Sequence, residues 1–133
     1  MFNWMKPKKK EAPIATRSDS NRPPAEPPTP AVGEVSAAEL QALLKSPTPP
    51  LVLDVREAYE LTADGLIPGS VHIPMRFIPN RLSELPRDRP IVAYCGVGAR
   101  SYYVAEFLLK QGYGEVKNLR GGIIAWQAAN FGK

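Results

Sequence analysis

Short apolar runs without polar alternation recur along this chain, and stretches of helical character separate them. Residues 51–55 (Leu-Val-Leu-Asp-Val) and 91–94 (Ile-Val-Ala-Tyr) read as such strands, and 71–73 (Val-His-Ile) and the more polar 115–119 (Glu-Val-Lys-Asn-Leu) as further strands. A strand with one wet face alternates apolar and polar residues. Runs that stay apolar need cover on both faces. With helices between them, they specify an α/β fold: a mostly parallel sheet with helices on both sides. In such sheets ligands gather beyond the carboxyl ends of the strands, so the residues that follow each run matter most.

The helices have recognisable starts and stops. Ser36-Ala37-Ala38-Glu39 is a capping box. It opens a helix with Leu40, Leu43 and Leu44 at core-facing spacing, which stops before Pro47. Residues 57–61 read as a short helix, and Gly65, Pro68 and Gly69 as a turn. Residues 77–85 read as helical, with an interruption at Pro79. Residues 101–111 form a helix whose apolar stripe is Val104, Ala105, Leu108 and Leu109, with Gly112 as a left-handed cap. Gly121-Gly122 reads as turn chemistry leading into a closing helix, with Ile123, Ile124 and a core Trp126.

Composition shifts near residue 33. Seven of the fifteen prolines and +3 of the +4 net charge lie in residues 1–33. That segment reads as a disordered, proline-rich basic tail, and residues 34–133 as one folded domain. The apolar tip Phe2, Trp4 and Met5 reads as incidental, and Lys8-Lys9-Lys10 as a solvated cluster. A folded part carrying +1 argues against nucleic-acid binding. No apolar run approaches the roughly 18 residues of a membrane span, and none has the form of a secretory signal. One cysteine cannot form an internal disulfide, which fits a reducing, cytoplasmic setting. The expected state is a monomer.

That cysteine, Cys95, ends the 91–94 strand and precedes Gly96-Val97-Gly98-Ala99-Arg100 and a helix. A thiol at a strand-to-helix turn sits among free backbone N–H groups at the positive end of a helix dipole. Those groups favour the thiolate, the reactive form. Gly96 and Gly98 allow the backbone to curl its N–H groups inward as an anion nest. Arg100 reads equally as a fixed positive charge for an anionic ligand or as a structural ion pair to a carboxylate. Asp54 and Arg56, at the end of another strand, read first as ties between loops and second as an anion attractor. His72 lies in a strand leading away and reads as packed, not as a base for Cys95. With one His and one Cys, no metal set is expected, and no phosphate-cradling nucleotide loop or other cofactor motif is present.

Four segments in order resemble the rhodanese domain family over about residues 35–131. They are Asp54-Val55-Arg56-Glu57; Gly65-Leu66-Ile67-Pro68-Gly69-Ser70-Val71-His72-Ile73-Pro74; Tyr94-Cys95-Gly96-Val97-Gly98-Ala99-Arg100-Ser101; and Leu119-Arg120-Gly121-Gly122-Ile123-Ile124-Ala125-Trp126. The family carries His where Leu66 stands, and the stretch from Arg56 to Gly65 is about one residue longer than common. The resemblance implies a five-stranded parallel sheet with the active loop after the fourth strand. It also implies transfer of sulfane sulfur through a persulfide on Cys95. Gly96, Val97, Gly98, Ala99, Arg100, Ser101 and Arg56 would bind the donor, either thiosulfate or a low-molecular-weight persulfide. A protein sulfur donor or acceptor is also compatible. With no second cysteine, the acceptor is an outside thiol or cyanide. Cysteine phosphatases resemble C-x5-R; here Arg100 lies five positions after Cys95, giving C-x4-R, and position 101 is Ser. The shorter ring argues against phosphate or arsenate chemistry. A rhodanese fold kept as a protein-interaction module is the remaining alternative, and an intact thiol in a glycine loop argues for the enzyme.

Overall fold

The computed structural model describes residues 31–131. The proline-rich segment and its Phe2, Trp4 and Met5 tip fall outside that range. The elements are β1 (Gly33–Val35), α1 (Ala37–Leu44), β2 (Leu51–Asp54), α2 (Ala58–Asp64), β3 (Val71–His72), β4 (Ile91–Tyr94), α3 (Ala99–Lys110), β5 (Val116–Leu119) and α4 (Gly122–Phe131). Two 3-10 turns, Met75–Asn80 and Leu82–Glu84, connect β3 to β4. The five strands run in the order β1-β5-β4-β2-β3, and every pairing is parallel. This is the five-stranded parallel sheet that the resemblance implies, with the cysteine loop after the fourth strand.

Alternate residues of the central strands feed two separate cores, which is why both sets are apolar. Leu51, Leu53, Ile91, Ala93 and Val116 face α3 and the 3-10 turn, packing with Val104, Ala105, Leu108 and Ile78. Val52, Val92, Tyr94 and Leu119 face the other way and pack with Leu40 of α1 and Ile123 of α4. Trp126 is partly buried against this second core.

Several elements differ from the sequence reading for physical reasons. Strand β1, which opens at Gly33, is absent from the sequence reading because an edge strand of three residues is too short to show a period. Leu43 is exposed, so the α1 stripe is narrower than its spacing implies. Helix α2 runs on to Asp64 and ends at Gly65, whose φ of 79° a β-carbon would strain. Residues 75–80 wind as a 3-10 turn because Pro79 lacks an N–H for an α-helical bond.

One buried polar network ties the sheet's carboxyl edge. Asp54, at the end of β2, accepts Arg56 Nε at 3.0 Å and Nη2 at 2.8 Å, and both side chains are fully buried. The Tyr94 hydroxyl donates to Asp54 Oδ2 at 2.7 Å and accepts from the Ile67 N–H at 3.1 Å. Arg56 Nη2 also donates to the Gly65 carbonyl at 2.8 Å, fixing the end of α2. Removing one partner of a buried ion pair strands the other charge. Asp54→Ala should therefore lose about 3–5 kcal/mol in urea unfolding, with the folded state's circular dichroism retained. A loss below about 1 kcal/mol, the range of an exposed pair, would show that Arg56 is solvated without Asp54.

Candidate active site

Cys95 follows the last residue of β4, and the chain turns at once into α3. Its side chain is buried, on the same face as Ala93. Gly98, the N-cap of α3, has φ 108°, a left-handed conformation that swings its own N–H back onto the Cys95 sulfur at 3.1 Å. The Ser101 N–H lies 3.5 Å from that sulfur and the Ser101 hydroxyl 3.4 Å. Gly96 needs no unusual φ, so only one of the two loop glycines is there for its backbone freedom. Burial pushes the Cys95 thiol up. The Ser101 hydroxyl and the N–H groups of Ser101, Gly98 and Arg100 outweigh it and hold the thiol below its ordinary range.

The loop can aim its N–H groups inward only if its carbonyls are satisfied elsewhere. The start of α4 does this. The Ile123 N–H donates to the Cys95 carbonyl at 2.9 Å and the Ile124 N–H to the Gly96 carbonyl at 3.3 Å. Such close approach requires glycine at 122. A β-carbon there would lie 2.4 Å from the Cys95 oxygen and 2.5 Å from the Gly96 oxygen, at a φ of +59°. Gly121-Gly122 therefore does more than turn the chain, because it seats one helix against the cysteine loop.

Asn118, buried on β5, is the other support. Its Nδ2 donates to the Gly98 carbonyl at 3.0 Å and to Glu34 Oε2 at 3.2 Å. Its Oδ1 lies 2.5 Å from the Ser101 hydroxyl. That hydroxyl has one proton for two acceptors. Those two acceptors are the Asn118 Oδ1 and the Cys95 sulfur.

The structure gathers Cys95, Gly98 and Ser101 around one sulfur. Val97 is highly exposed beside them. Arg100 is held in a two-pronged ion pair, its Nη1 and Nη2 each 2.8 Å from a Glu60 oxygen. Arg56 stays in the buried network with Asp54 and presents nothing to solvent. His72 Nε2 is 2.6 Å from the Arg56 carbonyl, engaged there and not at the thiol. Leu66 is exposed in its turn. Sequence reasoning missed Asn118, Glu60 and the tether from Gly122. A polar residue inside an otherwise buried strand signalled Asn118. Nothing in the sequence linked Glu60 to an arginine forty positions on.

A family model described as the rhodanese-like domain matches residues 36–129. A protein named sulfurtransferase from Allochromatium vinosum is 47% identical over 95 residues, covering 71% of this chain and 88% of its own. The thiosulfate sulfurtransferase GlpE of Stutzerimonas stutzeri is 31% identical over 77 residues, covering 58% of this chain and 70% of its own. The crystal structure of a rhodanese-like domain protein from Staphylococcus aureus superposes with a TM-score of 0.67 at 33% identity, covering 71% of this chain and 91% of that one.

Two measurements check the site. Followed by ultraviolet thiolate absorbance against a Cys95→Ser blank, Cys95 should titrate below the free-thiol value of about 8.5. Because the fold favours the thiolate, the matching stability is full above the free-thiol value and is lost as pH falls through the folded midpoint. Gly122→Ala should push the loop off α4 and move the midpoint back up toward the free thiol. An unshifted midpoint in that variant would mean that the loop holds its shape without the tether.

Proposed function

The chain belongs to the rhodanese-like family, and from that membership we propose that it moves sulfane sulfur through a persulfide on Cys95. The sulfurtransferase names of its relatives support a rhodanese-type sulfurtransferase. The observation that carries the reading is the convergence of the Gly98 N–H, the Ser101 N–H and the Ser101 hydroxyl on one sulfur. Such a cradle stabilises an anionic sulfur and needs no metal or cofactor.

The reaction is two displacements with no net redox change. The Cys95 thiolate attacks the outer sulfur of thiosulfate or of a persulfide. A bond forms between Cys95 Sγ and that sulfur, and the donor's S–S bond breaks with its electron pair. Sulfite leaves from thiosulfate, or a thiolate from a persulfide. The transferred sulfur becomes the terminal atom of the Cys95 persulfide, within reach of the same N–H groups. A thiolate or cyanide then attacks that atom, the Sγ–S bond breaks, and the Cys95 thiolate returns. The dipole of α3 adds to the field at this point.

Intact mass tests the reading. Protein incubated with thiosulfate or a small persulfide should gain about 32 Da, one sulfur. Dithiothreitol should remove it, and Cys95→Ser should never acquire it. No adduct from either donor, on protein whose free thiol still titrates, would overturn the proposal. It would then favour the fold as an interaction module.

A further inference from the structure

The mouth beside the cysteine loop, where a β-carbon on Gly96 would lie 3.4 Å from Arg100 Nη2, has an unusual charge balance. An open cavity of about 470 Å³ is lined by Val55, Glu57, Met75, Arg76, Pro79 and Arg100. Its two cations are both spoken for. Arg100 is held by both oxygens of Glu60, and Arg76 by both oxygens of Glu57. The Glu60 carboxylate is itself fixed from behind, because its Oε2 accepts the Glu57 N–H at the start of α2. Hydrogen bonds from Arg100 hold its pKa down at about 2, against a smaller opposing effect of burial, so Glu60 carries its charge at neutral pH. Beside this cavity, and sharing Met75 and Pro79 with it, runs an apolar groove of about 180 Å³ formed with Tyr103 and Phe107 of α3. Met75 and Tyr103 of its lining are exposed, as is Val97 of the cysteine loop.

The two donor classes differ in what they leave at the mouth. In both, the sulfur to be transferred enters the N–H cradle. With thiosulfate the half left outside is a sulfonate, whose anionic oxygens want an uncommitted cation. With a carbon-bound persulfide the negative charge travels on the transferred sulfur itself, and the half left outside is an organic group. A mouth of cancelled cations and exposed apolar side chains offers little to the sulfonate and more to the organic group.

Resting on the sulfur-transfer reading above, we propose that Glu60 sets the donor class. By closing Arg100 into an ion pair, it selects a persulfide on an uncharged organic carrier over thiosulfate. Atoms and electrons balance as in the displacement already written. Cys95 Sγ bonds to the outer sulfur, the donor S–S bond breaks, and the carrier leaves as its thiolate to take a proton from solvent.

The test compares thiosulfate with N-acetylcysteamine persulfide, whose carrier carries no charge. Both are followed by kcat/KM for sulfur delivery to dithiothreitol. The two donors differ in intrinsic reactivity, so the readout is the change in their ratio between variants. Glu60→Gln keeps the shape of the side chain and, with its amide oxygen in the Oε2 position, the bonds from the Glu57 N–H and Arg100 Nη1; it loses the bond from Nη2 and frees the charge of Arg100. The ratio should move roughly tenfold toward thiosulfate, the effect of one uncancelled charge near the surface. The gain should lie in KM for thiosulfate and should fade with added salt. The double variant Glu60→Gln, Arg100→Gln is again neutral and should return to the wild-type ratio. An unchanged ratio in Glu60→Gln, or a change that persists in the double variant, would overturn the proposal. Intact mass after each donor separates that result from failure of the sulfur-transfer reading, which would leave Cys95 without added sulfur from both.

Discussion

Several backbone N–H groups aimed at one sulfur leave their carbonyls facing outward, and those carbonyls must be satisfied elsewhere. The rest of the carboxyl edge follows from that requirement. The first turn of α4, which has N–H groups with no partner in their own helix, takes the Cys95 and Gly96 carbonyls. Asn118 takes the Gly98 carbonyl from the neighbouring strand. Both come from β5 and its exit, so the strand next to the cysteine strand holds the loop as much as the loop's own residues do. The parallel pairing of β4 and β5, with Ala93 opposite Asn118, sets the height from which that side chain reaches.

The arginines at this edge divide by burial. Arg56 is wholly enclosed, and its charge is matched inside the fold by Asp54 and capped by the Gly65 carbonyl. Its work is to join the end of β2 to the turn after α2. Arg100 is 41% exposed and its partner Glu60 15%. That pair faces the mouth, where a charge can act on an incoming group. Both arginines lie near strand ends in motifs of similar appearance, yet one bears on the fold and the other on what approaches the loop.

The sheet was legible because the physics of burial is written residue by residue. A run such as Ile91-Val92-Ala93-Tyr94 is apolar on both faces, and only a doubly covered strand tolerates that. The capping box at Ser36 and Glu39 formed as read, with both reciprocal bonds present. The cysteine loop was legible for a similar local reason: strand end, thiol, glycine, helix start. Contacts distant in sequence were not. Whether Arg100 meets a donor or a carboxylate depends on where α2 carries Glu60, and no local pattern encodes it. Gly122 looked like turn chemistry because its need is for space against another segment's carbonyls, which a glycine reports without saying what approaches it. Edge strand β1 was missed because three residues are too few to display a period.

The lack of a base beside Cys95 is consistent with the chemistry. His72 is occupied at the Arg56 carbonyl, and Glu60 is committed to Arg100. A serine nucleophile in such surroundings would need a partner to remove its proton. A thiol held below its ordinary range by the Ser101 hydroxyl and backbone donors gives up its proton more readily than a free thiol, so the cradle does the work of a base. In the proposed transfer the same donors would then meet the transferred sulfur, which carries the same kind of charge one bond further out. One set of N–H groups thus serves both the nucleophile and its loaded form. This suits a ring of C-x4-R spacing closed around a single atom, where a tetrahedral oxyanion would need a wider ring and an arginine free to clamp it.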